Sequence, residues 1–213
     1  MTTKVKICGI TDEAALRASL EAGASYVGFV FVEFSKRYIA PDKARTLSLL
    51  AGNAIKRVGL FANPTDEEIE RVLQDVPLDF IQLHGQETPA RSEALKKKTN
   101  LPLIKAFPIK TEEDFLPVSD YQGLADVFLF DSKPDEELRK KGLGGGSGQN
   151  FDWSLLSQKT FQTPWFLAGG LSASNILEAI NISKAQMIDV SSGVEVERKK
   201  SPKLIKSLIQ LVS

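Results

Sequence analysis

Residues Lys56 to His84 read KRVGLFANPTDEEIERVLQDVPLDFIQLH, and this stretch decides the fold. It opens on an apolar, β-branched run over 56–62 and closes on a second over 79–84. Between them Ile69, Val72 and Leu73 recur at i, i+3 and i+4, which predicts a helix over 66–75 with one buried stripe and an acidic outer face. Thr65 ahead of Asp66-Glu67-Glu68 predicts a capping box at the start of that helix. A helical crossover returns the chain to the same end of the sheet, so the two flanking strands run parallel.

The same alternation extends in both directions. Strands are expected at 4–9, 26–31, 56–62, 79–84, 102–107, 126–131, 164–168 and 186–190. Thr11-Asp12-Glu13 opens a helix over 12–22 that ends at Gly23, and Pro41-Asp42 opens one over 41–51 that ends at Gly52. Further helices are expected at 88–98, 112–118, 152–158, 173–182 and 202–212, the stretch near 112–123 being interrupted by Pro117 and Gly123. A doubly wound open sheet shares this alternation, but eight strands favour closure. The reading is therefore α/β: one (β/α)₈ TIM barrel over residues 1–213, serving as a single catalytic domain, near the low end of the size range of such barrels. Only Lys133 to Asn150 is irregular, with glycines at 142, 144, 145, 146 and 148, and its length is that of a functional loop or lid.

Composition narrows the function. Hydrophobic residues make up 42% and charged residues 25% of the chain, ordinary globular usage. Lys plus Arg (27) equals Asp plus Glu (27), so the electrostatic footprint of a general nucleic-acid binder or a polybasic membrane-surface protein is missing, and an anionic ligand has to be held locally. A single cysteine excludes an intramolecular disulfide framework and fits a reducing compartment. The N-terminus has no signal-peptide pattern, and no apolar run approaches the roughly 20 residues of a membrane span, so a cytoplasmic protein is expected.

In a barrel, substrate meets the C-terminal ends of the strands and the loops that follow them. The polar residues there are Cys8, Ser35 to Arg37, Asn63, Gln82 and His84, Lys105, Asp131, and Ser191 to Glu195. A lone cysteine is more often an inert core residue, but a thiol at a strand end becomes a base or nucleophile when a nearby cation or dipole stabilises the thiolate. Asp131 closes its strand before the long loop instead of a helix, which weakens a capping role. A thiol and an acid on strands 1 and 6, facing across the barrel mouth, suit proton transfer about a sugar carbon.

Two glycine clusters, Ala168-Gly169-Gly170-Leu171 and Ser191-Ser192-Gly193-Val194, end the last two strands. In phosphosugar barrels phosphate sits against these two loops and the N-terminus of a short extra helix, where backbone N–H groups approach the anion. The first cluster is expected to lead into a helix beginning near Ser172. Two ordinary turns are the alternative. Arg37 offers a planar fork to a carboxylate, or is a solvated surface side chain. His84, the only histidine, reads as a site-lining or structural residue. One histidine and one cysteine make neither a zinc cluster nor a Ser-His-Asp triad, and the glycines at 144–148 lack the pattern of a nucleotide loop.

Lys6-Ile7-Cys8-Gly9-Ile10, Gly28-Phe29-Val30-Phe31 with Ser35-Lys36-Arg37, Val58-Gly59-Leu60-Phe61, Gln82-Leu83-His84-Gly85, Gly145-Gly146-Ser147-Gly148 with Phe151-Asp152-Trp153, Leu167-Ala168-Gly169-Gly170-Leu171 and Asp189-Val190-Ser191-Ser192-Gly193-Val194-Glu195 together resemble the phosphoribosylanthranilate isomerase family, in that family's order from end to end. The resemblance implies an Amadori rearrangement of N-(5-phosphoribosyl)anthranilate in tryptophan biosynthesis, without cofactor or metal, by a monomer or homodimer. It implies Cys8 as general base and Asp131 as general acid. Arg37 would bind the anthranilate carboxylate, and His84, Gly146, Gly170, Ser192 and Gly193 would complete the substrate site.

The chain departs from the family at two places. Val196-Glu197-Arg198-Lys199-Lys200-Ser201 stands where a glycine, a lysine and an aspartate usually lead into the last helix, and Phe130 stands before Asp131 where a smaller aliphatic residue is expected. Competing barrels are an indole-glycerol-phosphate synthase, for which Lys105 would be the lysine acid, and a histidine-pathway isomerase, which needs an aspartate where Cys8 stands. A non-catalytic phosphosugar binder would keep the glycines without requiring both Cys8 and Asp131.

Overall fold

In a computed structural model, which describes residues 3–133 and 150–213, eight parallel strands close into a barrel in the order β1-β2-β3-β4-β5-β6-β7-β8. They are β1 Lys4–Cys8, β2 Tyr26–Val30, β3 Lys56–Phe61, β4 Phe80–Leu83, β5 Leu103–Ile109, β6 Val127–Ser132, β7 Trp165–Leu167 and β8 Met187–Val190. Closure runs through β1 and β8, where Lys6 pairs with Asp189 and Ile7 with Val190.

Side chains alternate between two layers, as the period of a strand requires. Tyr26, Val58, Ile104, Ala106, Val127, Leu129, Phe166 and Met187 cluster inside the barrel. The intervening Ile7, Phe29, Phe61, Leu83, Phe107, Phe128, Phe130 and Ile188 face the helices, where Leu16, Leu47, Ile69, Leu95, Ile176 and Ile205 meet them. This parity explains Phe130. It points away from Asp131 into an aromatic group with Phe107, Phe115, Phe161 and Trp165, with centroids 4.8 to 6.0 Å away, so its bulk never enters the barrel.

The helices begin where their caps dictate. Asp12 accepts from Ala15 N–H at the start of Glu13–Glu21, and Thr65 with Glu68 forms the expected capping box of Asp66–Asp75. Pro41–Ala51 and Pro89–Thr99 each start on a proline, whose missing N–H costs nothing there. The stretch Glu112–Tyr121 is a 3₁₀ helix with Pro117 inside it, so the α-helix expected over 112–118 does not form. Helix 152–158 shrinks to Ser154–Ser157. The helix after β7 starts at Ile176, later than Ser172, because the Asn175 side chain takes the Ser172 N–H at 2.8 Å and holds a turn there.

After β8 the chain makes a small hairpin, β9 Glu195–Val196 against β10 Lys199–Lys200, in the stretch where the sequence departs from the family pattern. Glu197 and Arg198 carry φ of 49° and 66° at its tip, the left-handed pair that such a tight turn demands. Arg198 thus occupies a conformation that glycine would adopt without cost. Ser201 then caps the helix Pro202–Val212 through Leu204 N–H, doing the work of the missing aspartate.

Candidate active site

Cys8 ends β1 on the interior face and packs against Val30, Val32 and Leu60 at the C-terminal mouth. Lys6, two residues earlier on the same face, is fully buried, and its Nζ donates to Asp189 Oδ1 at 2.9 Å. Gly28 on β2 is the Cα partner of Cys8, and a Cβ there would lie 3.0 Å from Sγ and 3.3 Å from the Lys6 Nζ. Thiol and ammonium therefore border one small space that only glycine leaves open. Burial pushes the Cys8 thiol above its ordinary range, with Asp189 adding to the rise, while the ammonium groups of Lys6 and Lys200 pull against it. Burial also opposes the charge on Lys6, but Asp189 and Cys8 outweigh it and hold the ammonium above its ordinary value.

Asp131 sits on β6 with the interior parity of Val127 and Leu129. Its Oδ1 accepts from Ser132 N–H at 2.7 Å, and Oδ2 lies 3.3 Å from His84 Nε2. The other ring nitrogen, Nδ1, is 2.9 Å from the amide nitrogen of buried Gln82. An amide donating to Nδ1 leaves the histidine proton on Nε2, aimed at Asp131. The Gln82 side-chain oxygen has no hydrogen-bond partner among the described residues.

Arg37, in the loop after β2, grips Glu195 of the hairpin with two parallel bonds, Nε to Oε1 at 2.7 Å and Nη2 to Oε2 at 3.0 Å. It is not a solvated surface arginine, since its side chain is 20% exposed. Lys200 Nζ donates to Glu195 Oε1 at 2.6 Å and to Ser191 O at 2.9 Å, and the Ser191 hydroxyl donates to the Cys8 carbonyl at 3.0 Å. Burial works against both members of the Arg37–Glu195 pair, yet their hydrogen bonds win, raising the guanidinium and lowering the carboxyl. Cys8 and Asp131 both bear on the charge of Arg37. Gly9, at φ 82°, leaves room for the arginine stem, because a Cβ there would come within 2.7 Å of Arg37 Cδ.

The loops after β7 and β8 meet at an isolated bridge between Ser172 and Gly193. A Cβ on Gly193 would strike the Leu171 carbonyl, so the close approach of these loops requires glycine. Gly169 (φ 89°) and Gly170 (φ 60°) carry the chain past the end of β6, and a Cβ on Gly169 would meet Ser132 N at 2.6 Å. Ser192 and Gly193 follow β8 beside them. Gly146, and most of the irregular loop around it, lies outside the described residues.

Two lysines reverse the sequence reading. Lys105 turns outward, opposite in parity to Ile104 and Ala106, and is spent on Glu87 at 2.7 Å and the Gly85 carbonyl at 2.8 Å. The interior lysine is Lys6, which was overlooked although it shares the face of Cys8 by simple alternation within KVKIC. Among the described residues, no group of His, Cys, Asp and Glu is arranged to hold a metal ion, and no helix is long and apolar enough to cross a membrane.

Comparison with known proteins identifies the family and the barrel fold. The family described as N-(5'phosphoribosyl)anthranilate (PRA) isomerase matches residues 5–211. An N-(5'-phosphoribosyl)anthranilate isomerase of Paracoccus denitrificans is 45% identical over 210 residues, covering 98% of this chain and 96% of that one. The crystal structure of phosphoribosyl anthranilate isomerase from Thermotoga maritima superposes with a TM-score of 0.85 at 38% identity, covering 98% of this chain and 97% of that one. A further isomerase structure, in complex with reduced 1-(o-carboxyphenylamino)-1-deoxyribulose 5-phosphate, gives a TM-score of 0.80 at 34% identity, with 98% and 97% covered.

Proposed function

The chain belongs to the N-(5'-phosphoribosyl)anthranilate isomerase family and isomerises that phosphosugar in tryptophan biosynthesis, and we propose that Cys8 and Asp131 are the base and the acid that do so. The observation that carries this assignment is that Cys8, at the end of β1, and Asp131, near the end of β6, both lie on the interior face at the C-terminal mouth of one closed barrel.

The rearrangement needs two proton transfers. Asp131 protonates the ribose ring oxygen as the C1–O bond breaks, and the nitrogen lone pair forms the Schiff base. The Cys8 thiolate then takes the proton from C2, the C2–H electrons move toward C1, and an enolamine results that tautomerises to the ketose. Substrate binding follows the same map. Arg37 presents its end-on edge to the anthranilate carboxylate while Glu195 holds its side-on edge. The phosphate rests against Gly170, Ser192 and Gly193, with His84 lining the site and Gly146 completing it from outside the described residues.

On this reading residues 1–213 form one catalytic domain acting in the cytoplasm on a small phosphosugar, as a monomer or homodimer, with no nucleic-acid or membrane partner. Incubating the purified protein with fluorescent phosphoribosylanthranilate tests the assignment. Loss of fluorescence is expected with wild type, and folded Asp131→Asn and Cys8→Ser should each fail to produce it. Rapid turnover by either variant removes that residue from its role.

A further inference from the structure

Lys6 is fully buried inside the barrel, and nothing in the acid–base scheme above uses it. Taking an ammonium and a carboxylate out of water costs several kcal/mol per ion, and a buried pair is often replaceable by apolar residues without loss of stability. A structural reason alone therefore does not explain the Lys6–Asp189 pair, cross-strand neighbours at the β1–β8 closure. The neighbouring thiol does. Lys6 and Cys8 are two residues apart on one strand face, and the ammonium and the thiol both reach the same gap beside Gly28, which a single methyl group would close.

Resting on the reading of Cys8 as the base, we propose that Lys6 is a positioning residue, anchored by Asp189, whose ammonium stabilises the Cys8 thiolate from inside the barrel. The charged groups around the thiol are Lys6 and Asp189 on the barrel floor, Lys200 and Glu195 on the hairpin, and Arg37 in the loop after β2. Three cations thus face two carboxylates. Lys6 bears more strongly on the thiol than Asp189 or Lys200 does, so its ammonium is the main charge that lowers a thiol which burial holds above its ordinary range. Asp189 serves mainly to keep Lys6 charged and in place.

The chain has one cysteine, so its thiolate absorbance titrates Cys8 alone. In Lys6→Met the midpoint should rise by at least about one pH unit, a tenfold smaller thiolate fraction at a given pH below it. Lys6→Met with Asp189→Asn leaves no unpaired carboxylate in the barrel and should show a smaller rise in the same direction. Alkylation by iodoacetamide at fixed pH should slow in parallel, and the rising limb of kcat against pH should move to higher pH, whereas a purely structural defect would lower kcat at every pH. The reciprocal effect needs no change at Lys6: in Cys8→Ala the Lys6 ammonium, followed by NMR, should titrate at lower pH than in wild type. An unchanged Cys8 midpoint in a folded Lys6 variant, or an unchanged Lys6 midpoint in Cys8→Ala, overturns the proposal. These titrations stand apart from turnover, so loss of the base assignment through Cys8→Ser would be seen separately.

Discussion

Arg37 and Glu195 meet edge to edge, the guanidinium donating through Nε at 2.7 Å and Nη2 at 3.0 Å to the two carboxylate oxygens. This pair ties the loop after β2 to the hairpin after β8. It also determines which edge of the arginine is left for substrate. A guanidinium has two forks, and with the side-on fork filled by the protein the end-on fork points elsewhere without having to be freed first.

Arg37→Ala should therefore reduce kcat/KM much more for the true substrate than for an analogue lacking the anthranilate carboxylate. Arg37→Lys should be nearly as damaging, because one ammonium cannot serve Glu195 and the substrate in two planar forks. Equal losses on both substrates would give Arg37 a general structural role instead.

The same pair predicts how stability responds to acid. The carboxyl of Glu195 lies below its ordinary value because the bonds from Arg37 and Lys200 outweigh its burial. A depressed carboxyl contributes stability above its unfolded pKa, near ~4.3, and that contribution is lost as pH falls through the folded value. Denaturation at neutral pH should find Glu195→Gln weaker by about 1–3 kcal/mol. The gap to wild type should shrink below about pH 4, and a gap that stays constant across the range would contradict the linkage.

Gly193→Ala should act mainly on KM. The new methyl group has no room against the Leu171 carbonyl, so the loops after β7 and β8 must part, and with them the proposed phosphate surface. An unchanged Michaelis constant in a folded variant would separate these loops from phosphate binding.

Phe130→Ala should destabilise the fold by about 3–5 kcal/mol, the usual cost of emptying a fully buried aromatic site. Asp131 faces the other side of the sheet, so kcat of the folded fraction should change little. A large fall in kcat with stability intact would mean that Phe130 shapes the site directly.

Much of this was legible from local chemistry. Pro41–Ala51, Asp66–Asp75 and Pro202–Val212 begin and end as their prolines, capping residues and apolar periods indicate. Strands were readable because each is a short apolar run between helices, and their number implied closure. Pro117 signalled trouble without revealing that a 3₁₀ helix would result, since its missing N–H only excludes one bonding pattern. The hairpin after β8 was hidden because Glu197 and Arg198 carry no glycine or asparagine to announce a left-handed turn. At the site, Cys8, Arg37 and Asp131 were visible as polar residues at strand ends. Lys6 was not, because it lies one layer deeper, and its partner Asp189 is distant in sequence and near only through barrel closure.

The most direct test of the acid–base account is the single-turnover rate of Cys8→Ser on phosphoribosylanthranilate, with folding checked by circular dichroism. A hydroxyl keeps the shape of the site but is far harder to ionise than a thiol, so proton abstraction from C2 should slow by at least about 10²- to 10⁴-fold, the usual contribution of a positioned base. A folded Cys8→Ser enzyme that turns over within a few-fold of wild type would contradict the account and exclude Cys8 as the base.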